Sequence, residues 1–405
     1  MSYPSNWTKV KFCEIAKRKS VRINSPKDSG YERYVGLEHL DTGELVVKRW
    51  GSNQDVSSSM QLFNKKDILF ARRNTYLRRV SVAPFDGVCS GDIIVIEPIL
   101  NHIVTGFLPI YMQFEEFENR VVAWSAGAFS KRIKWKQLCD FEVWLPPKEE
   151  QQKIVDTIWG IQITKEKTAN AIRTIDKLKS GLIEILLTKG IGDKKFRYEE
   201  IGLVPETWKV VKLGDVTSIR YGLGQPPELE QNGVPMIRAT NIKRGAIVEN
   251  NLVRVKASDV PKSKNAFLEE GDIIIVRSGV YAGDIGYVSK NWEGAIAGYD
   301  LVMTPSREVC PIYLLNCMLS PGIQSLFSDL RTRSAQYHLN SKQVAKIKIM
   351  LPPLYEQEKI VSILDSFSKA LRECNSFLIN TSELENKLID SFMSGETPLS
   401  MEVIE

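Results

Sequence analysis

The segments "LPPKEEQQKIV" at residues 145–155 and "LPPLYEQEKIV" at residues 351–361 are two copies of one sequence, identical at eight of eleven positions. In each copy an apolar run, "FEVW" or "IKIM", leads into the two prolines. The residue before a proline is disfavoured in the helical region, so a strand is expected to end there. The second proline can occupy a first helical turn, and the acidic residues that follow suit the positive end of a helix. Each copy therefore predicts a junction from strand to helix.

The repeat extends far beyond these junctions. "NWTKVKF" around Trp7 matches "TWKVVKL" around Trp208, and "DILFAR" at 67–72 matches "DIIIVR" at 272–277. The alignment then runs without a gap from the first junction to Leu187 and from the second to Met393. Self-similarity over this length indicates two half-copies in tandem, each with a globular part followed by a long helix.

Short apolar runs with period two, separated by glycine and asparagine turns, predict short strands in the globular parts. They lie at Ile68–Phe70, Ile93–Val95, Ile273–Val276 and Ile347, Ile349 and Leu351. The predicted fold is α+β, with two strand-rich domains separated by two long antiparallel helices that form an intramolecular coiled coil. The expected boundaries are a first domain at 1–144, a first helix at 145–189, a linker at 190–207, a second domain at 208–350, a second helix at 351–395 and a tail at 396–405.

The coiled coil is predicted from a seam of residues spaced alternately four and three apart, which is the 3.5-residue repeat of packed helices. Its polar members are Lys165, Thr168, Lys179, Thr381 and Glu385, and Cys374 also lies on it. The apolar members are Ile154, Ile158, Ile161, Ile172, Ile175, Leu182 and Leu186 in the first helix, and Ile360, Leu364, Phe367, Leu371, Leu378, Leu388 and Phe392 in the second. The alternative is that each helix packs on its own domain. A helix of about 40 residues would be about 60 Å long, and that length spans at most about 17 base pairs of DNA.

Composition limits the class of protein. The chain has 405 residues, 43% hydrophobic and 25% charged, which is typical of globular domains. Six cysteines without CxxC spacing and three scattered histidines predict neither a disulfide framework nor a metal site. No apolar stretch is long enough for a signal peptide core or a membrane span, so we expect a cytoplasmic protein.

Positive charge is concentrated in the two globular parts. Residues 1–144 contain 21 Lys and Arg against 16 Asp and Glu, and residues 208–350 contain 18 against 13. The rest of the chain contains 15 against 20. This distribution is expected if the globular parts, and not the helices, face a polyanion such as DNA.

Basic loops within these parts supply candidate DNA contacts. Arginine and lysine bind phosphates, and arginine or asparagine side chains can form paired hydrogen bonds to base edges. "ARRNTYLRR" and "VRSGVYAGD" follow predicted strands at corresponding points of the two copies. The full set of candidates is Arg72, Arg73, Asn74, Tyr76, Arg78, Arg79, Lys131, Arg132, Lys134, Arg238, Asn241, Lys243, Arg244, Arg277, Ser278, Tyr281, Arg331, Arg333 and Tyr337.

Catalytic motifs are missing from the sequence. It has no glycine-rich phosphate loop, HExxH or Gly-x-Ser-x-Gly. "LPP" differs from the Asn/Asp-Pro-Pro-aromatic loop of amino-methyltransferases, because Leu145 and Leu351 offer no acceptor and Lys148 and Leu354 offer no ring. The chain is therefore expected to bind DNA without a catalytic or metal site of its own.

Nearly the whole chain resembles the specificity subunits of Type I restriction-modification enzymes. The resemblance is carried by the tandem halves, the tryptophan segments and the paired "LPPxxEQ(Q/E)KIV" junctions before long helices. The resemblance implies two target-recognition domains that each read half of a split DNA sequence. It also implies helices that fix the gap and dock modification subunits, expected to be two, which carry S-adenosylmethionine and the methyltransferase site. Restriction and translocase subunits would join them. The tail after Phe392 departs from the pattern in being short and acidic.

Two other classes stay open on the residues alone. One is a stand-alone restriction endonuclease with a carboxylate-metal site, for which pairs such as Asp284 and Asp300 are available. The other is a protein-interaction scaffold that uses the coiled coil and ignores DNA. Salt-dependent binding to duplex DNA would separate the scaffold from a DNA-reading protein.

Overall fold

A computed structural model describes residues 3–24, 29–55, 59–125, 131–192, 194–261, 265–332 and 338–395. The chain divides into two units. The first unit combines Met1–Ala171 with Cys374–Glu405, and the second is Ile172–Glu373. Since both long helices cross these boundaries, each contributes one segment to each unit.

The first half of the chain forms short strands and helices before the first long helix. Its strands are β1 (Thr8–Lys11), β2 (Ala16–Lys19), β3 (Arg22–Ile23), β4 (Arg33–Val35), β5 (Gly51–Ser52), β6 (Met60–Phe63), β7 (Ile68–Ala71), β8 (Val80–Val82), β9 (Gly87–Cys89), β10 (Ile93–Pro98) and β11 (Glu142–Leu145). Its helices are α1 (Phe12–Ile15), α2 (Phe107–Tyr111), α3 (Glu115–Trp124), α4 (Trp135–Cys139) and the long α5 (Lys148–Thr188).

The second half repeats this plan. After the hairpin β12 (Phe196–Glu199) and β13 (Gly202–Pro205), its strands are β14 (Lys209–Lys212), β15 (Thr217–Tyr221), β16 (Leu229–Ile237), β17 (Ile242–Lys243), β18 (Ala246–Ile247), β19 (Val253–Val255), β20 (Ile273–Ile275), β21 (Ile285–Tyr287), β22 (Ile296–Ala297), β23 (Leu301–Pro305) and β24 (Lys348–Leu351). Its helices are α6 (Leu213–Val216), α7 (Pro311–Leu319), α8 (Pro321–Thr332), α9 (Ser341–Ala345) and the long α10 (Leu354–Ser394). The hairpin lies in the stretch that the sequence indicated only as a linker.

Equivalent four-stranded antiparallel sheets lie at the centre of the two units. Their strand orders are β2-β10-β7-β8 and β15-β23-β20-β21. Each unit has a further sheet with one parallel pair, β4 with β9 in the first and β16 with β22 in the second. A buried ion pair also recurs: Lys19 Nζ lies 2.9 Å from Asp67 Oδ2, and Arg220 Nη2 lies 2.7 Å from Asp272 Oδ2. The two copies therefore share one scaffold.

The central strands are buried on both faces, which explains their continuous apolar sequence. In β7, Ile68 and Phe70 join the main core of the first unit, and Leu69 joins a smaller core on the opposite face. In β20, Ile273 faces the main core of the second unit and Ile274 a smaller one. The strands predicted around these residues are observed.

The repeated junctions pair with the tryptophan segments that open each half. Antiparallel register places Thr8 of β1 opposite Leu145 of β11, and Lys209 of β14 opposite Leu351 of β24. Both long helices begin one residue after the second proline, so that proline precedes the first turn rather than lying within it. The carbonyl of Pro147 accepts the N–H of Gln151 at 3.0 Å, as the residue that caps a helix does.

A buried glutamine locks each junction to the globular part of its own unit. Gln357 donates from Nε2 to the carbonyls of Glu308 (3.0 Å) and Pro352 (2.9 Å), and its Oε1 accepts the N–H of Cys310 at 2.8 Å. The equivalent Gln151 makes the same three bonds in the first unit, to His102, Pro146 and Val104. All the hydrogen-bonding groups of each amide are directed at backbone, which accounts for the repeated "EQ" of the junction.

Replacing Gln357 with alanine is expected to lower the free energy of unfolding by at least about 2 kcal/mol. The change leaves two carbonyls and one N–H without their partner in a buried site, and each such group costs about 1–3 kcal/mol. Urea unfolding followed by circular dichroism measures the loss. The control is Glu358→Ala, because Glu358 is exposed on the same helical turn. Equal unfolding midpoints for the two variants would contradict this role of the amide.

The long helices pair in an antiparallel sense within each unit. In the first unit, Ile154 and Ile158 of α5 share a core with Ile389 and Phe392 of α10. In the second unit, Leu186 of α5 shares a core with Ile360 and Leu364 of α10. Every predicted seam residue is buried or half-buried, and none is exposed. The predicted fold class of two strand-rich domains with a pair of long helices is confirmed.

The end of α10 packs on the start of the chain. Gly395 follows the helix with a φ of 73°, and a Cβ built there would lie 2.6 Å from Pro4 Cδ and 3.7 Å from Trp7 Cζ2. In the second unit, Gly190 after α5 approaches Trp208 in the same way. The predicted tail at 396–405 lies outside the described residues.

Candidate nucleic-acid interface

Two loops with the same local scaffold carry many of the predicted contacts. One follows β7 and begins at Arg72, and the other follows β20 and begins at Arg277. The N–H of Arg72 donates to the Asp92 carbonyl at 3.0 Å, and the N–H of Arg277 donates to Asp300 Oδ1 at 3.1 Å. Each arginine carbonyl accepts an N–H from the segment before a short helix, Ile133 (3.0 Å) or Leu339 (2.8 Å). The loops therefore occupy equivalent positions in their units.

In the first unit this scaffold brings basic residues from two segments together. The Asp92 carboxylate lies 3.2 Å from Arg73 Nη1 and 3.1 Å from Arg132 Nη2, and both arginine side chains are nearly half exposed, at 42% and 47%. The N–H of Asn74 donates to the Lys131 carbonyl at 2.9 Å. One carboxylate thus orients two guanidinium groups that remain accessible to a phosphate. We call Arg72, Arg73, Lys131 and Arg132 the first basic cluster.

Two of the predicted arginines instead hold the loop in place. Arg78 donates from Nη2 to Asn119 Oδ1 at 2.7 Å, and its Nη1 lies 3.3 Å from Glu118 Oε2. Arg79 donates from Nη1 to the Leu37 carbonyl at 2.6 Å, and burial lowers its pKa. Between left-handed Asn74 (φ 53°) and Arg78 (φ 46°), a short turn carries Tyr76, which is 58% exposed. Tyr76 is therefore the residue of this turn that is most available to a ligand.

The acidic partner of Arg78 has an altered titration. Burial raises the pKa of Glu118 to about 8, the charge of Arg78 opposes this rise, and the neighbouring Asp390 adds to it. A carboxyl group with such a pKa is largely protonated at neutral pH. The Arg78–Glu118 pair therefore has a net positive charge beside the loop when Glu118 is protonated.

In the second unit, Ser278 pairs with His338 in the bridge that corresponds to Arg73 with Arg132. Tyr281 and Val280 are exposed at the tip of the loop. A nearby hairpin of β17 and β18 presents Lys243 and Arg244 to solvent, and it joins β21 through the N–H of Gly245, which donates to the Ile285 carbonyl at 2.8 Å. The loop after β20 thus leads into the strand that holds this basic hairpin.

Asn241 has a structural role in the described residues. Its side chain is fully buried, it accepts the N–H of Arg238 at 3.2 Å, and it donates to the carbonyls of Val248 (3.1 Å) and Asn250 (2.8 Å). His39 makes the equivalent cap in the first unit. Asn241 is therefore left out of the candidate surface, since its amide has no group left for a base.

The remaining predicted residues are placed as follows. Lys134 is exposed at the start of α4, and Arg238 is half-buried and donates to the Asn251 carbonyl at 2.7 Å. Arg331 lies near the end of α8. Arg333 and Tyr337 lie outside the described residues. Contacts of these residues with DNA stay predictions.

Sequence reasoning missed aromatic residues that contact arginine. Arg33 Cζ lies 4.9 Å from the Trp50 ring centroid and 4.6 Å from that of Phe85. Arg277 Cζ lies 4.9 Å from Tyr221 and 4.5 Å from Tyr299. These rings come from distant strands and loops, so no local pattern points to them.

The described part of the chain has neither a group of metal-ligating side chains nor a helix that could span a membrane. No three His, Cys, Asp or Glu side chains in it are grouped in a way that could hold a metal ion. None of its helices combines the length and the apolar character that crossing a membrane requires.

Comparison with known proteins covers almost the whole chain. The family model described as the type I restriction modification DNA specificity domain matches residues 4–173 and 205–381. The type I restriction enzyme MjaVIII specificity subunit of Methanocaldococcus jannaschii is 22% identical, over 97% of this chain and 93% of that protein. The HsdS subunit of Thermoanaerobacter tengcongensis has a similar fold, with a TM-score of 0.54 at 20% identity, over 98% of this chain and 99% of that one. A chain from a structure on complex assembly and conformational transition of the type I R-M system gives a TM-score of 0.61 at 20% identity, over 98% of this chain and all of that one. The two family-model matches coincide with the two repeat copies, and the chain therefore belongs to the type I restriction modification DNA specificity family.

Proposed function

We propose that this chain is the DNA-recognition subunit of a type I restriction-modification complex, and that each repeat copy reads one half of a bipartite duplex sequence. The observation that carries the proposal is the recurrence of one scaffold in both units, with an arginine after a central strand at the same point, Arg72 or Arg277. Family membership and the excess of positive charge in each globular part support it.

Two copies on one chain gain affinity from being linked. Once one unit is bound, the other is held at high effective concentration near its own half-site, provided that the span matches. The paired helices α5 and α10 are the elements that would set this span. We infer that their length fixes the unread gap between the half-sites.

Exposed leucines on the helices support docking of partner proteins. Leu178 in the second unit and Leu384 in the first are repeat equivalents, and both are more than half exposed. An apolar side chain kept at the same outward position in both copies suits two equivalent partners. We infer that two modification subunits dock there, that they carry the S-adenosylmethionine and the methyltransferase site, and that restriction subunits complete the complex. In this proposal the chain itself does no catalysis.

The first test is binding of the purified full chain to duplex DNA at several salt concentrations. The double variant Arg73→Ala/Arg132→Ala is expected to reduce the slope of log affinity against log salt by about 2, because each phosphate contact contributes about 0.9. The control is Lys9→Ala, which removes a similarly exposed cation paired with Glu142 on β11. Salt-independent or absent binding by the unchanged chain would favour the protein scaffold instead.

The second test is co-expression with a methyltransferase subunit of a type I system from the same genome, followed by mapping of methylated bases. A bipartite motif with a constant gap is the expected result. Incubating the purified chain alone with Mg²⁺, S-adenosylmethionine and the same DNA should give neither cleavage nor methylation. Cleavage by the chain alone would favour the endonuclease class.

A further inference from the structure

Arg277 is held by two tyrosine rings at the start of the loop after β20. Its Cζ lies 4.9 Å from the Tyr221 centroid and 4.5 Å from the Tyr299 centroid. Both rings are partly open to solvent, at 40% and 48% exposed. A guanidinium group stacked on aromatic rings keeps its plane and loses little further freedom on binding. The fork of Arg277 is thus oriented in advance at an accessible place.

The support around Arg277 is itself fixed. The hydroxyl of Tyr221 accepts the N–H of Ser341 at 3.1 Å and lies 3.2 Å from Ser341 Oγ. The buried Asp300 carboxylate accepts the backbone N–H of Arg277 at 3.1 Å. Tyr299 immediately precedes Asp300, so one short segment places a ring and this acceptor together. Strand ends and a helix start therefore position the arginine from several sides.

Among the residues that the structure describes, none accepts a hydrogen bond from the guanidinium of Arg277, and its buried Nε is without a partner there. A buried donor without an acceptor is unfavourable, so such groups are few in folded proteins, and a ligand is one of the reasons for keeping them. Among the described residues no carboxylate lies within ion-pair distance of this guanidinium, in contrast to Arg73 and Arg132 with Asp92, and the charge of Asp300 acts on it only from farther away.

Comparing the two copies shows which features around Arg277 are shared by both units and which occur in the second unit alone. Arg72 has the equivalent backbone position, and its Nε is also buried without a partner. By strand register, the residues that correspond to the two rings are Ser20, just after β2, and Asp92, just before β10. A feature that folding requires would be expected in both copies. The ion pair is such a feature, because it is formed by Lys19 and Asp67 in the first copy and by Arg220 and Asp272 in the second. The rings belong to the second copy alone, which suits the reading of a different half-site.

We propose that Arg277 recognises a guanine in the half-site read by the second unit, and that Tyr221 and Tyr299 are positioning residues for it. Guanine presents two acceptors, O6 and N7, on one edge in the major groove, and a guanidinium fork donates to both. A guanidinium fork also binds a phosphate, but a phosphate contact carries no sequence information, so the experiment below separates the two. The inference rests on the proposed function and adds the base and the residue to it.

The experiment uses the complex of the full chain with its co-expressed methyltransferase subunit. The complex selects from duplexes with randomised sequence, and the enriched duplexes are sequenced. The unchanged complex should enrich a bipartite motif with a guanine at one position of one half-site. Arg277→Lys and Arg277→Ala should reduce the preference at that position by about 10- to 100-fold, leaving the other half-site and the gap unchanged. Lysine keeps the charge and the stem, so the lysine variant guards against a folding defect.

Two further variants sharpen the test. Tyr299→Leu should weaken the same guanine preference, because the fork loses one supporting ring. Arg72→Ala is the matched control, since it removes the equivalent arginine of the first copy, and it should leave that guanine preference intact.

The outcomes distinguish the inference from the proposed function. If the unchanged complex enriches no bipartite motif, the proposed function fails. If it enriches one but Arg277→Lys leaves every position unchanged, the inference alone is overturned. A uniform loss across all positions, with the salt slope reduced by about 1, would make Arg277 a phosphate contact and would also overturn the inference.

Discussion

Replacing Glu385 with leucine is expected to lower the free energy of unfolding of the first unit by about 3–5 kcal/mol. Glu385 lies in the helix seam, where its Oε2 is 2.7 Å from Lys165 Nζ and its Oε1 accepts from Gln162 Nε2 at 2.6 Å. The side chains of Lys165 and Glu385 are only 6% and 1% exposed. Without the carboxylate, the lysine charge stays buried with no counter-charge, which is the costly state for an ion pair in an interior.

The double variant Lys165→Leu/Glu385→Leu should recover most of this loss. Leucine already occupies the repeat-equivalent position of Lys165, at Leu371, so the seam accommodates it. Recovery should be incomplete because the Gln162 amide still lacks its acceptor. Urea unfolding followed by circular dichroism measures all variants.

The control for this prediction is Glu373→Ala on the same helix. Glu373 Oε1 lies 4.0 Å from Lys369 Nζ, and both side chains are about 70% exposed. Ion pairs at the surface contribute at most about 1 kcal/mol to the free energy of unfolding. If Glu385→Leu lowered the free energy of unfolding no more than Glu373→Ala does, the buried pair would not support the helix pairing.

The sequence was sufficient for the parts of the fold that depend on local or periodic patterns. The repeat predicted two equivalent halves, and period-two runs predicted β7, β10, β20 and β24. The 3.5-residue spacing predicted the seam, including its polar positions at Lys165 and Glu385. The spacing of the seam records which side of each long helix is buried, whereas the continuous apolar runs of β7, β10 and β20 record burial on both faces.

Partners that are distant along the chain could not be predicted in this way. Gln357 is one residue of a repeated motif, but its acceptor Glu308 lies 49 positions away and is a backbone carbonyl, which has no sequence signature. Likewise the seam gives the position of Lys179 and not its bond to Ser368 Oγ, at 2.7 Å. Hydrogen bonds to backbone depend on how loops return to the core, and side-chain identity alone carries little of that information.

Composition identified the basic loops, and the structure separates the residues within them. Arg73 and Arg132 are exposed, whereas Arg78 and Arg79 bind the fold itself. All four look alike in "ARRNTYLRR" and "SKRIKWK". The left-handed backbone at Asn74 and Arg78 turns the chain between them, and a non-glycine residue in that conformation is not foreseen from residue type. The candidate surface is therefore smaller than the set of basic residues.

Lengthening both long helices by one heptad is expected to change the gap in the methylated motif by about three base pairs, or to abolish activity. The insertions go at repeat-equivalent points, after Ala171 in α5 and after Phe377 in α10. Seven residues preserve the 3.5-residue seam and add about 10 Å of helix, which corresponds to about three base pairs at 3.4 Å each. The effect is large because a span that no longer matches removes the gain from linking the two units.

Whether the paired insertion lengthens the gap or abolishes activity depends on how far the two half-sites rotate relative to each other about the DNA axis. Three base pairs turn one half-site by roughly 100° about the DNA axis at 10–10.5 base pairs per turn, whereas a heptad turns a helix face by only about 20°. If twisting of the DNA and of the units absorbs the difference, the longer gap is methylated at reduced rate. If it does not, methylation is lost although the complex still assembles.

The matched control for the heptad is the same insertion in α5 alone. It displaces one side of the seam against the other, so it should lower the unfolding midpoint as well as the activity, whereas the paired insertion should leave the midpoint nearly unchanged. Methylation mapping after co-expression gives the gap for each variant. An unchanged gap with full activity in the paired insertion would mean that the helices do not set the spacing.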